Sequence, residues 1–225
     1  MNGSGRHLNS LIIYTAPWIA TFNPIGDTMD MMIVSGFLGS GKTTMILSTV
    51  GKVIETTKKK VVIIVNDFGD IGIDGKVMEK YGLSVTEMQS GCICCSLGTD
   101  FLETVRTVSD QFAPDLIIVE PTGIADPAKI VETMEMYRGP IGALKTYVVI
   151  DAVRFPLIMK ALAQPLKNQI KAADVILINK IDEASPAAVD EVVKNLGALG
   201  FKKKAIAASA TAGTNLEEVV SSMVM

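Results

Sequence analysis

Gly36-Phe37-Leu38-Gly39-Ser40-Gly41-Lys42-Thr43 decides how this chain is read. The spacing is G-x-x-x-x-G-K-[ST], a phosphate-binding loop, and its flanks agree with that reading. Ahead of it the apolar residues 31–34 form a strand candidate. Behind it, residues 43–57 carry Met45, Ile46, Val50, Val53 and Ile54 close to helical spacing. Small residues let backbone N–H groups converge on phosphate oxygens, and the new helix points its positive end at the same charge. Lys42 is placed to reach the β- and γ-phosphates, and the Thr43 hydroxyl to ligate Mg²⁺.

The bulk properties fit one domain built around such a loop. In 225 residues, 48% are hydrophobic and 20% charged, a globular rather than a disordered composition. A net charge of −3 gives no nucleic-acid footprint. The runs Lys58-Lys59-Lys60 and Lys202-Lys203-Lys204 each precede an apolar run and read as solvated strand entries. No stretch of eighteen apolar residues argues for a membrane span. The apolar residues 11–22 are broken by Thr15, Pro17 and Thr21, with no small-residue cleavage site after them. Met29, Met31 and Met32 offer alternative translation starts. Residues 1–28 are therefore read as an extension ahead of a nucleotide-binding domain over 29–225, and a cytoplasmic location is expected.

Strand candidates at 31–34, 61–65, 85–88, 116–119, 147–150, 175–178 and 205–208 alternate with helix candidates at 43–57, 97–112, 127–137, 155–171, 186–198 and 215–222. Several strands are unbroken Val/Ile/Leu runs, as parallel strands covered on both faces require. Asp126-Pro127 and Ser185-Pro186 each pair a helix cap with proline at the first helical position. The rhythm predicts an α/β fold of the P-loop NTPase kind. Its sheet is mostly parallel and doubly wound, with helices on both faces and a ligand edge at the strand C-termini.

Asn179-Lys180-Ile181-Asp182 directly follows one of those strands. Read as N-K-x-D it is a guanine signature. Asp182 would accept from the N1–H and N2–H₂ edge, Asn179 would bond the far edge and brace the phosphate loop, and the Lys180 stem would pack over the ring. A site built on such bonds rejects a base lacking the donors by on the order of 10⁴-fold. Ala208-Ser209-Ala210, after the next strand, resembles the loop that meets the guanine carbonyl with a backbone N–H.

Two acidic segments suit the γ-phosphate side. Residues 116–119 run apolar into Glu120-Pro121-Thr122-Gly123, where Glu120 serves an Mg²⁺ contact and Gly123 offers its N–H to the γ-phosphate. Most GTPases carry aspartate where Glu120 stands. Asn66-Asp67-Phe68-Gly69-Asp70 follows another strand, and Asp67 is the candidate for orienting the metal or the attacking water. Asp70 and Asp74 read equally well as turn residues.

All three cysteines, Cys92, Cys94 and Cys95, fall within four positions. Chance would do this roughly once in a few thousand placements, and a bridge between such close neighbours is strained. Three adjacent thiolates suit a borderline or soft cation such as Zn²⁺ or Cu⁺. A structural zinc site takes four protein ligands, and the single histidine, His7, lies in the extension. An exchangeable metal, or a ligand from a second subunit, accounts for the open position. Redox or buried thiols are the alternative.

Together these motifs resemble those of the CobW-type GTPases, the SIMIBI-class group related to UreG, HypB and MeaB. The resemblance is carried by 36–44 (GFLGSGKTT), 66–74 (NDFGDIGID), 91–95 (GCICC), 120–127 (EPTGIADP), 148–155 (VVIDAVRF) and 179–182 (NKID). It covers about residues 30–220. It implies slow Mg²⁺-dependent GTP hydrolysis, nucleotide-controlled homodimers, and insertion of a metal into a client protein or maintenance of that client. Carried over residue by residue, it makes Gly39, Ser40, Gly41, Lys42, Thr43 and Thr44 the phosphate contacts. It puts Thr43, Asp67 and Glu120 around Mg²⁺, with Lys42, Asp67 and Glu120 as the catalytic set. Asn179, Lys180, Asp182, Ser209 and Ala210 then form the base site. Cys92, Cys94 and Cys95 become the ligands of a transferred Zn²⁺ or Co²⁺. The chain departs from the family in two ways: it lacks the second domain and His-rich stretch of larger members, and Asp67 and Asp70 stand where the switch usually has glutamates.

Three functions follow as expectations. The first is a GTP-driven metallochaperone, with GTP and GDP as ligands and a client metalloprotein as partner. The second is a GTP-dependent chaperone of a corrinoid protein in which the cysteines hold a structural ion. The third is a P-loop phosphotransferase. No nucleic acid or membrane partner is expected.

Overall fold

The unbroken aliphatic runs form the middle of one eight-stranded sheet. The computed structural model describes residues 11–15, 28–65, 84–88 and 99–224. In chain order the elements are β1 (Leu11–Thr15), β2 (Met29–Ser35), α1 (Lys42–Thr57), β3 (Val61–Val65), β4 (Ser84–Met88), α2 (Thr99–Phe112) and β5 (Leu116–Glu120). They continue with α3 (Pro127–Met134), β6 (Ile141–Asp151), α4 (Phe155–Ala161), α5 (Ala163–Ala172), β7 (Val175–Asn179), α6 (Pro186–Ala198), β8 (Lys204–Ala207) and α7 (Leu216–Met223). The strand order is β4-β1-β3-β5-β2-β6-β7-β8. From β3 to β8 every pairing is parallel.

Side-chain alternation along those strands splits the core between two faces. Met32, Val34, Ile63, Ile118, Val149 and Leu177 pack with α1 and α7 through Met45, Val50, Val53, Val219 and Met223. Their neighbours on β2, β3 and β5 (Met31, Ile33, Ile64, Ile117) face Phe101 and Val105 of α2 and Ile130 of α3. Val148, Ile150, Ile176 and Ile178 meet Phe155, Leu166, Ile170 and Val192 of α4, α5 and α6. Helices cover both faces, which is the doubly wound α/β arrangement expected of a P-loop NTPase.

The structure departs from the pattern reading in three places. β1 lies within the stretch read as an extension, and pairs antiparallel with both β3 and β4. The single helix expected over 155–171 is two, broken at Leu162 (φ −132°, ψ 40°). Pro165 explains the break, because it has no N–H to give the Ala161 carbonyl and its ring crowds that oxygen. β6 begins six residues before the aliphatic run of 147–150, at Ile141. Its first half pairs with β2 across a register shift between Met29 and Met31, where the Asp30 carboxylate accepts from the Ala143 N–H at 2.7 Å and pairs with Lys59. Both capped prolines fall where expected: Asp126 accepts from the Ala128 N–H at 3.1 Å, and Ser185 from the Ala188 N–H at 3.2 Å.

Tyr147 of β6 is the largest fully buried side chain among the described residues. Its hydroxyl donates to the Ser222 carbonyl near the end of α7, which also accepts from Lys145 Nζ at 2.9 Å. A cation near a helix C-terminus is favourably placed. Burial, offset in part by the Ser222 side chain and reinforced by the Asp174 charge, pushes the Tyr147 phenol up to about 12.

Candidate nucleotide site

The C-terminal ends of β2, β5, β6 and β7 converge on one edge, and the expected nucleotide-site residues that fall within the described residues lie at or beside it. Gly36, Gly39 and Gly41 all have positive φ, at 140°, 73° and 89°. Gly41 is the N-cap of α1, with no side-chain cap and no acidic residue in the first turn. A Cβ on Gly41 would come within 2.4 Å of Asn179 Nδ2, so glycine is required there on both conformational and steric grounds. The first turn of α1 thus presents its amides and positive end to the loop, the arrangement that receives phosphate.

Lys42 is buried, with Nζ 3.5 Å from the Phe37 carbonyl and 4.0 Å from Glu120 Oε1. Thr43 Oγ1 donates to the same Glu120 oxygen at 2.8 Å. Glu120 is 3% exposed at the end of β5. A hydroxyl and a carboxylate oxygen meeting beside a buried lysine make a hard-oxygen donor set, the chemistry Mg²⁺ takes. The Thr122 hydroxyl nearby is buried without a hydrogen-bond partner among the described residues. Gly123 backs onto the phosphate loop so closely that a Cβ would sit 2.5 Å from the Leu38 amide nitrogen. Thr44 is exposed on the first turn of α1.

Asn179, 3% exposed, ties the base side to the phosphate side. Its Nδ2 donates to the Ser40 carbonyl at 2.9 Å, and its Oδ1 accepts from the Ala210 N–H at 3.0 Å. The brace expected of Asn179 is therefore present. The Ser209 N–H donates to the Thr214 carbonyl at 3.1 Å, so the amides of Ser209 and Ala210 are both engaged within the protein. Lys180 adopts a left-handed backbone at φ 64°. Asp182 is exposed, leaving its carboxylate open to a donor edge.

Pattern reading assigned no role to three residues at this edge. Asp151, 1% exposed, ends β6 and pairs with Lys180 Nζ at 2.9 Å and Arg154 Nε at 2.7 Å. Burial acts to raise its pKa, but the hydrogen bonds and charge of Lys180 and Arg154 outweigh it and leave the carboxyl below its usual range. Arg154 Nη2 in turn donates to the Leu38 carbonyl at 2.9 Å. Gln169, on α5 and 1% exposed, donates to the carbonyls of Gly123 and Ala125 at 3.2 and 3.3 Å. The one available signal was a polar residue, Gln169, on the apolar face of a helix. Asp67, Cys92, Cys94 and Cys95 lie outside the described residues.

Residues 30–206 match the family described as CobW/HypB/UreG, nucleotide-binding domain. The chain belongs to that family. It is 33% identical over 156 residues to the zinc chaperone YeiR of Escherichia coli, covering 68% of this chain and 47% of YeiR. Identity to the zinc chaperone YjiA of the same organism is 30% over 177 residues, 73% of this chain and 52% of YjiA. The chain spans about half the length of these two relatives. In fold it is similar to the crystal structure of Zn(II)-bound YjiA GTPase, with a TM-score of 0.50 at 23% identity over 76% of this chain and 55% of that one. The cell division protein FtsY of Thermotoga maritima gives a TM-score of 0.55 at 16% identity, covering 93% and 73% of the two chains. Like these, the CobW-family chain has the α/β fold of a P-loop NTPase.

Proposed function

We propose that this CobW-family chain is an Mg²⁺-dependent GTPase that couples its nucleotide state to binding and delivery of Zn²⁺ or Co²⁺ through Cys92, Cys94 and Cys95. The observation that carries the GTPase half is Asn179, which joins the phosphate loop to the loop after β8 while Asp182 stays open for a guanine edge. The metal half is supported by the three-cysteine window and by similarity to proteins named zinc chaperones.

The chemistry follows from the side chains. Lys42 neutralises charge on the β- and γ-phosphates, and the amides of the first turn of α1 cradle them. Thr43 and Glu120 would hold Mg²⁺, which when bound draws off charge developing on the phosphate oxygens. Gly123 donates its N–H to the γ-phosphate, with Gln169 fixing the backbone on which it sits. Asp67 orients the water that attacks the γ-phosphorus as the bridging bond to the β-phosphate breaks. Nucleotide and transferred metal must then alter each other's affinity by the same factor, since linkage is reciprocal. A nucleotide-dependent homodimer and a client metalloprotein complete the reading, with the reaction taking place in the cytoplasm.

The test measures Zn²⁺ and Co²⁺ affinity of the reduced protein with GDP and with a non-hydrolysable GTP analogue, using Cys94→Ser as control. A nucleotide-dependent difference that disappears in the variant supports transfer. Equal affinities in the two nucleotide states refute the coupling. Competition between GTP and ATP on the same sample tests the base.

A further inference from the structure

The strands of the phosphate loop and of the base-reading loop, β2 and β7, are separated in the sheet by β6, and β6 ends in Asp151. The Asp151 carboxylate is buried. One oxygen accepts from Lys180 at 2.9 Å and from Arg154 Nε at 2.7 Å, and the other accepts the Val153 and Arg154 amides at 3.0 Å each. The guanidinium continues to the Leu38 carbonyl at 2.9 Å and lies against Gly39. An unbroken path of charge-assisted bonds thus runs Lys180–Asp151–Arg154–Leu38, from the base side to the phosphate side.

We propose that Asp151 and Arg154 are positioning residues that hold the two loops in one fixed relation, and so set nucleotide affinity and guanine discrimination through Lys180 and Leu38. The inference rests on the guanine reading above. The reasoning is one of partners. A buried carboxylate is tolerable only when cations and amides satisfy it, so both cations are held in place by the same group. Lysine is a flexible point charge, and its backbone here is in the left-handed region; the ion pair fixes where its stem lies. The rigid arginine fork bonds the carboxylate through Nε and the Leu38 carbonyl through Nη2 in one fixed geometry, which a flexible lysine point charge does not impose. Removing the Asp151 charge releases both loops, whereas removing Arg154 releases only the phosphate loop.

The test compares GDP, IDP and ADP affinities of the whole chain with those of Asp151→Asn, Arg154→Ala and the double variant. IDP lacks the 2-amino group that Asp182 reads. Asp151→Asn is expected to weaken GDP about tenfold and to narrow the preference for GDP over IDP. Arg154→Ala should weaken GDP and IDP by one common factor, and the double variant should match Asp151→Asn. An Asp151→Asn protein with the affinity and preference of the parent overturns the proposal, as do effects that simply multiply in the double variant. If Asp151→Asn does not fold, Arg154→Lys joins Arg154→Ala as the test: lysine lacks the rigid planar fork, so unchanged GDP affinity in both Arg154 variants overturns the proposal. Equal GDP and ADP affinities in the parent chain would overturn the guanine reading instead.

Discussion

Thr43 Oγ1 and Glu120 Oε1 meet at 2.8 Å, joining the first turn of α1 to the end of β5 across 77 positions of sequence. Glu120→Gln preserves shape and removes the charge. GTP hydrolysis is expected to fall on the order of a hundredfold while GDP still binds. Single-turnover rates set beside equilibrium GDP binding check this, and an unchanged rate would show that Glu120 is only structural.

Asn179→Ala strips a hydrogen bond from the Ser40 carbonyl and another from the Ala210 amide, both in a buried setting. Each lost partner in the interior costs about 1–3 kcal/mol. Urea unfolding without nucleotide should therefore show a loss of about 2–6 kcal/mol. GDP affinity should drop further than stability alone explains.

Gly123→Ala drives a methyl group to within 2.5 Å of the Leu38 amide nitrogen, so the phosphate loop must shift. Overpacking against backbone costs about 1–3 kcal/mol. The expected result is a lower melting temperature together with weaker binding of the GTP analogue. Normal binding would mean that the loop can retreat freely.

Tyr147 gives an alkaline signature. Its folded pKa, about 12, lies above the ordinary value of 10.0, so between those values the unfolded chain loses a proton that the folded chain keeps. Stability is then unaffected below pH 10 and falls as pH rises toward 12, by about 3 kcal/mol in all. Tyr147→Phe should flatten that slope in urea titrations at stepped pH. A slope that persists belongs to other groups.

The parts of the site legible in sequence are those whose chemistry sits in one short run. The phosphate loop, Glu120 with Gly123, and Asn179 with Asp182 are each read from a few adjacent residues, because backbone and side chain act together there. The fold followed from aliphatic runs long enough to mark buried parallel strands. What stayed hidden depends on neighbours distant in sequence. Asp151 matters because Lys180 is 29 positions away, and Gln169 because Gly123 is 46 positions away; neither spacing leaves a trace in local pattern. The first half of β6 was missed because Gly142, Ala143 and Lys145 dilute its apolar signal. β1 was missed because pairing, not composition, makes Leu11–Thr15 a strand of this sheet.

The place of β1 bears on where expression is started. Because β1 is antiparallel to both neighbours, β3 and β4 run in the same direction with one strand's width between them. A polypeptide begun at Met29 would leave two parallel edges facing an empty lane. Closing that lane carries β4 sideways by about 4.8 Å. A chain begun at Met29 would then differ from the full chain in the place of β4 beside β3, with every residue from Met29 onward identical.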